Sequence, residues 1–501
     1  MKIKYLILLG IAGSTLLAGC KKDFLDEQPT QFTTPEQLAG AAAQDPKLLN
    51  GSIAGLYTTM FTVGVGGTGG HDDFGQKGID IFTDMLASDM VLAALNYGWY
   101  STVARYQASV DFTLNATYIP WRYYYRQIYG ANVIIDVLGG TDAVPPLALN
   151  KYTMGQAKAM RAYGYFYLTQ LYAKEYGSGT EKILPLYKTK NDLNQPKATS
   201  REVWDLMISD LNSAITLLEG FNRTSKDQIN KNVAKGLLAY VLAARGTPAD
   251  WAQVQTLSQD IMSAFPTTTR SQLVYDTANL NTAGFNDVAT PSWMWGVDIT
   301  LAQGLNLVSW WGQVDQFTYS YTWAGDPKTI DRSLYNAIRT DDIRKGQFES
   351  PTAPRYRLQP VNKFWANVPP RVSGGQRQLT TDLIYMRADE FYLLNAEAKA
   401  RTGNDAAAKT TLKAFLSTRI TDVSYIDALS GQALLDEIYL QTRIEFWGEG
   451  KSYLALKRNK ATITRGSNHL FDAGNSFLYS DPKLTFVIPQ AEVLNNPNLE
   501  L

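Results

Sequence analysis

Apolar residues recur at every third or fourth position through most of the first 265 residues, the spacing of helices with one buried face. From Tyr118 to Leu138, Trp121, Tyr125, Ile128, Val133 and Ile135 form such a stripe, which Gly139-Gly140 ends. Met154 to Tyr176 repeats it with Ala157, Met160, Tyr163, Tyr167 and Leu171. Ser200 is placed to cap a helix carrying Val203, Leu206, Met207, Leu211, Ile215 and Leu218, closed by Gly220. Asn230 to Arg245 and Asp250 to Phe265 form the next pair, turning through Gly246, Thr247 and Pro248, and Leu38 to Phe61 also reads as helical. Successive pairs of this length predict an α-solenoid of tetratricopeptide-like hairpins.

The periodicity lapses between Pro266 and about Thr380, where prolines, glycines, asparagines and tryptophans crowd together. Loops and short strands are expected there, with a strand at Ser292 to Val297 and a short helix at Asp331 to Ile338. Helical texture resumes at Leu383 to Thr402, Asp405 to Thr418 and Gln432 to Arg458, and Leu484 to Ile488 reads as a closing strand. On a helical wheel Ile384, Ala388, Phe391, Leu394 and Ala398 share a face that also holds Arg387. Arg387 lies within i+3 of Glu390, and Glu397 reaches Arg401 at i+4, so Arg387 is expected to be buried, paired and structural. Arg161, and Arg443 with Glu445, are read the same way. The predicted fold is mainly α, a solenoid frame with an irregular, loop-rich cap containing short strands. Its parts are a helical region at 38–265 with an early loop insert at about 62–114, the cap at 266–380, helices at 381–460 and a closing segment at 461–501.

The start of the chain is different in kind. Lys2 and Lys4 precede an apolar run from Tyr5 to Leu17, and Leu17-Ala18-Gly19-Cys20 follows, so residues 1–19 read as a secretory signal. Cys20 is the only cysteine in the chain and is the expected lipid attachment point, with residues 20–37 as a polar tether. Several buried acyl chains, at roughly 0.8 kcal/mol per methylene, hold a protein on a bilayer almost permanently. Taking Lys2 and Lys4 from 47 basic residues leaves 45 against 47 acidic ones, a formal charge of −2. That balance gives no basic footprint for nucleic acid.

His71 and His469 are the only histidines, so metal sites and His-dependent triads have few side chains to use, and no metal or cofactor is expected. Gly64, Gly66 and Gly69 fit GxGxxG, but no strand precedes them, and the stretch reads as a mobile loop rather than a nucleotide site. Asp72 and Asp73 beside it read as part of a solvated loop, with a cation or a ligand hydroxyl as the alternative.

Five of eleven tryptophans lie between Trp293 and Trp323. Trp293 and Trp295, on the predicted strand, read as core. Trp310, Trp311, Tyr319, Tyr321 and Trp323 sit among Asn306, Ser309, Gly312, Gln313, Asp315 and Gln316, and large rings in such company are expected to be exposed. A second cluster is Asn96-Tyr97-Gly98-Trp99-Tyr100. An aromatic face covers the apolar face of a pyranose while amide and carboxylate groups reach its hydroxyls. About 100 Å² covered per ring at about 25 cal/mol/Å² supplies roughly 2.5 kcal/mol, which suits weak, reversible capture.

At Leu383 to Ala398, with Arg387-Ala388-Asp389-Glu390, Tyr392-Leu393 and Ala396-Glu397-Ala398, the chain resembles the SusD/RagB family of nutrient-binding outer-membrane lipoproteins. Further landmarks follow in family order, among them the Cys20 signal, Arg161 to Leu168, Ala234 to Ala239, Arg443 to Gly450 and Ile488-Pro489-Gln490-Ala491-Glu492. Ser452 and Ala455 stand where the family usually has an arginine and an aspartate, and the longer family tail is missing after Leu501. The resemblance implies a lipid-anchored, non-enzymatic protein on the outer-membrane surface that binds an oligosaccharide and docks on a SusC-like, TonB-dependent transporter. It also implies ligand contacts from Trp99, Asn96, Tyr97, Trp310, Trp311, Tyr321 and Trp323. Capture of peptides or another nutrient stays open, as does a glycosidase using two carboxylates.

Overall fold

The computed structural model describes residue 37, residues 40–42 and residues 45–276, 284–366 and 371–499. The signal, Cys20 and all of the tether but residue 37 lie outside the described residues. The frame opens with α1 (Asn50–Thr59) and α2 (Gln76–Leu86), strand β1 (Met90–Leu92) and a single turn, α3 (Ser101–Ala104). Two long helices follow, α4 (Asn115–Val137) and α5 (Ala148–Tyr172), and then the hairpin β2 (Lys182–Pro185) and β3 (Lys197–Thr199). Next come α6 (Ser200–Leu217), α7 (Lys231–Arg245) and α8 (Pro248–Ala264); α4 packs on α1, and each helix from α5 to α8 packs on the one before it. The predicted α-solenoid is therefore present.

Caps set the helix boundaries. Thr199, in extended backbone, accepts the amide of Glu202 while Glu202 reaches back to the Thr199 amide, so Thr199 and not Ser200 is the cap of α6. Thr247 and Asp250 form the same reciprocal pair at α8, with Pro248 in the first turn, and Asn230 caps α7 as expected.

Between α8 and the later helices the described chain carries only short elements: β4 (Trp293–Val297), α9 (Trp310–Val314), α10 (Tyr321–Ala324), β5 (Lys328–Ile330), α11 (Arg332–Ala337) and β6 (Leu383–Arg387). β4 and β6 pair antiparallel, so Leu383 to Arg387 is a strand where the wheel predicted the first turns of a helix. All five residues are buried, and a short apolar run fits a buried strand as well as a helix. The solenoid resumes with α12 (Asp389–Arg401), which packs directly on α8, followed by α13 (Asp405–Leu416) and α14 (Gly431–Glu445). The stretch predicted as one helix to Arg458 breaks before α15 (Ser452–Arg458) at Gly450, whose φ of +74° and contact with the Asp80 carboxylate leave no room for a Cβ. β7 (Thr462–Thr464), β8 (Ser476–Leu478) and α16 (Gln490–Asn495) close the chain. Leu484 to Ile488 is not a strand. Its amides bond singly, Phe486 to the Leu171 carbonyl and Val487 to that of Ser109, without a ladder.

A buried ionic network joins the irregular stretch to the frame. Arg387 donates to Glu445 (2.8 Å) and Glu449 (2.8 Å) and lies 3.1 Å from Asp389, rather than pairing with the Glu390 side chain as its spacing suggested. Arg344 bridges Asp342 and Glu445, Arg419 pairs with Asp389 and Glu445, and Lys363 binds Glu449. Arg161 pairs with Asp210 at 2.7 Å, and Glu397 takes both Arg401 and Arg458. Arg443 finds Asp89 instead of Glu445.

Gly75, at φ +77° and ψ −149°, turns the chain into α2, and a Cβ there would sit 2.3 Å from the Met60 carbonyl oxygen. Gly75→Ala is expected to cost about 2 kcal/mol or more, read as a lower midpoint in urea unfolding.

Candidate functional site

β1 and β5 pair antiparallel, Met90 opposite Ile330 and Leu92 opposite Lys328, and this two-stranded ribbon brings the early insert against the middle of the chain. Past its end the Asp326 carboxylate, buried, accepts the amides of Asn96, Tyr97 (3.0 Å) and Gly98 (2.8 Å), while the Asn96 side-chain amide donates to the Ala324 carbonyl at 2.6 Å. One carboxylate thus fixes the backbone of the loop that carries Tyr97 and Trp99.

The rings gathered there form a shelf. Trp99 lies flat on the His71 imidazole, with centroids 5.0 Å apart and planes 4° from parallel. Tyr321 meets both edge-on, at 5.7 Å from His71 and 6.2 Å from Trp99, and its hydroxyl bonds His71 Nδ1. Tyr97 stands edge-on to Tyr321 at 5.2 Å and is 60% exposed. Trp99 is half-buried.

His71 is held from beneath. Gln313, fully buried, donates to its carbonyl at 2.8 Å and accepts from Lys328 Nζ at 2.9 Å. Burial pushes the Lys328 amine down to about 7, only partly opposed by Asp326. The glycine-rich loop is pinned rather than mobile: Asp73 is buried and accepts the amides of Gly66 (2.7 Å) and Thr68 (2.9 Å) and the Thr68 hydroxyl. Asp73 is therefore a loop anchor and not part of a solvated loop. Asp72 is half-buried, and burial raises its carboxyl to about 6.

Trp310 and Trp311 are not at the surface. Each is 1% exposed, Trp310 under Lys77 Nζ and against Phe364, Trp311 donating to the Thr381 carbonyl at 2.9 Å. Of the polar neighbours that suggested exposure, Ser309, Gln313, Asp315 and Gln316 are themselves inside, while Asn306 is exposed. Ser309 caps α9 through the Gly312 amide, and Asp315 takes the amides of Phe317 and Ala366 and the Thr318 hydroxyl. Trp293 and Trp295 are core, as expected.

Trp323 is 43% exposed but belongs to a separate platform: residues two apart on α10 do not share a side, so it turns from Tyr321 toward Tyr319, 5.4 Å away, with Arg377 stacked over Tyr319 at 4.2 Å. The structure thus gathers Asn96, Tyr97, Trp99 and Tyr321, separates Trp323 and buries Trp310 and Trp311. His71, Gln313 and Asp326 were missed as site-builders. The signal available for His71 was a lone histidine directly after a run of glycines. Nothing in the sequence pairs Asp326 with residue 96.

The solenoid frame thus carries, across the β1–β5 ribbon, a shelf of Tyr97, Trp99 and Tyr321 set around the His71 imidazole. Residues 68–242 match a family described as SusD-like, starch-binding and associating with the outer membrane, and residues 317–500 match the SusD family. The chain belongs to the SusD/RagB family. A SusD-like carbohydrate-binding protein from Bacteroides vulgatus superposes with a TM-score of 0.73 over 92% of this chain and 97% of its own, at 23% identity. A SusD superfamily protein from Bacteroides thetaiotaomicron gives 0.71 over 90% and 98%, at 20% identity. SusD-like protein P25 of Formosa agariphila is 27% identical over 151 residues, 30% of this chain and 27% of that relative, so the match spans little more than a quarter of the relative's length. No helix among the described residues is long and apolar enough to cross a membrane.

Proposed function

We propose that the protein is a cell-surface lipoprotein that holds an oligosaccharide on the shelf of Tyr97, Trp99 and Tyr321 and hands it, chemically unchanged, to a SusC-like, TonB-dependent transporter of the outer membrane. The observation that carries this reading is Trp99 held flat against His71 and edge-on to Tyr321, with the exposed Tyr97 on the other contact of Tyr321, a preset surface for the apolar face of a sugar ring. The family's description as starch-binding and outer-membrane-associated supports it. Lipid attachment at Cys20 supplies the anchor. Asn96, its amide committed to Ala324, offers its side-chain oxygen to a sugar hydroxyl. Trp323 with Tyr319 forms a second contact for a longer chain.

A screen of neutral oligosaccharides beside peptide mixtures tests the proposal. Trp99→Ala is expected to weaken every positive oligosaccharide by about five- to sixtyfold, the area lost from one partly buried ring being worth about 1–2.5 kcal/mol. Unchanged affinity for all of them would remove the shelf from the function. Binding of peptides alone would reassign the cargo, and release of reducing sugar would make the protein an enzyme.

A further inference from the structure

A recess of about 550 Å³ lies away from the shelf, along the outer side of α4. That volume is within the range of roughly 300–1,000 Å³ that small-molecule sites occupy. Its floor is the outer stripe of α4, where Tyr118, Arg122, Tyr125, Arg126 and Tyr129 follow one another at helical spacing, and its far wall is Tyr187 and the start of α16. Tyr129 is 58% exposed in spite of its size, and Tyr125 stands edge-on to Tyr187 at 5.6 Å. A solvent-facing helix stripe built of phenols and guanidiniums calls for an explanation, because glutamate and lysine serve that position at lower cost.

The charges in the recess are unequally committed. Asp192 accepts the amides of Lys188 and Thr189 and the Thr189 hydroxyl, and Glu492 accepts the Trp121 indole and the Asn496 amide. Among the described residues Arg122 donates only to the Tyr118 hydroxyl, at 3.0 Å. Arg126 has no hydrogen bond or ion pair to any described residue. Both carboxylates are spent within the rim while the guanidiniums keep donors to spare.

We propose that this recess is a second ligand site, for an acidic saccharide unit whose ring lies on Tyr129 and Tyr125 and whose carboxylate or sulfate is taken by Arg126 with Arg122. A planar guanidinium matches either anion with two parallel hydrogen bonds, and the phenol faces cover the C–H side of the ring. The site uses none of the shelf's residues and does not depend on the shelf binding anything.

Calorimetric titration of the full chain after Cys20 tests this with three probes: a trisaccharide of galacturonic acid, a sulfated galactose disaccharide of the carrageenan type and neutral galactotriose. At least one acidic probe is expected to bind, more weakly as salt rises. Arg126→Gln and Tyr129→Ala, both at exposed positions, are each expected to reduce that affinity by about tenfold or more, and Trp99→Ala to leave it unchanged. Uronate or sulfate preference identifies the anion. Failure of both acidic probes to bind overturns the proposal. So does affinity untouched by Arg126→Gln, equal affinity for the neutral probe, or loss through Trp99→Ala alone, which would move the ligand to the shelf. Loss of neutral-glycan binding at the shelf would leave this site standing.

Discussion

Replacing Glu445 by alanine is expected to lower the unfolding free energy by about 3–5 kcal/mol, the cost of stranding buried charges, read as a large fall in the urea midpoint. Glu445 receives Arg344, Arg387 and Arg419, each fully buried, and its removal leaves three guanidiniums facing Asp342, Asp389 and Glu449 alone. Glu445→Gln keeps hydrogen-bond capacity without the charge and is expected to cost less. Acid unfolding reports the same network. Burial by itself would raise the Glu445 carboxyl, but Arg419, Arg387 and Arg344 outweigh it and hold it well below the usual carboxylate range. Glu449 is also depressed, burial being overcome by Arg387 and Lys363. A folded value below the unfolded one, about 4.3 for glutamate, means that the contribution is complete above that pH. It is lost as pH falls through the depressed folded values. The wild type is therefore expected to lose stability steeply below about pH 4, and Glu445→Ala to show a shallower acid limb.

Asp326→Ala is expected to reduce oligosaccharide binding by more than about tenfold although its carboxylate faces protein amides and not the open side of the shelf. Three backbone donors, those of Asn96, Tyr97 and Gly98, lose their acceptor, each bond being worth about 1 kcal/mol net. With them goes the order of the loop that places Tyr97 over Tyr321 and Trp99 over His71. Faster hydrogen exchange confined to those amides would mark the effect as loss of preorganisation. Asp326→Asn, which keeps one acceptor oxygen, is expected to fall between. Full binding by Asp326→Ala would show that the loop needs no such clamp.

The long helices were legible because a stripe of apolar residues at period 3.6 over fifteen or more positions has few other interpretations. Leu383 to Arg387 was not, because five buried residues satisfy either period and only pairing with Trp293 to Val297, about ninety residues earlier, decides between them. Arg387 was legible as buried and paired, while its partners Glu445 and Glu449 belong to a different helix and the turn after it. At the site, Trp99 and Tyr97 could be named from their loop setting. Trp310 and Trp311 misled because Ser309, Gln313 and Asp315, polar by type, are occupied in capping and bridging. Composition gives a residue's capacity to bond, not whether the fold has already used it.

The clamp at Asp326 acts across 228 to 230 residues of chain, and the Tyr321–His71 bond across 250. During synthesis the first half of the shelf must therefore wait, unsupported, until the ribosome has delivered residues beyond Ile330, since its partner strand does not exist before then. A nascent chain stopped at the end of α8 would carry Trp99 and His71 without Gln313, Tyr321 and Asp326, which hold them in the complete fold. The aromatic shelf is consequently among the last parts to mature, and neither half of the polypeptide inherits it when the two are separated.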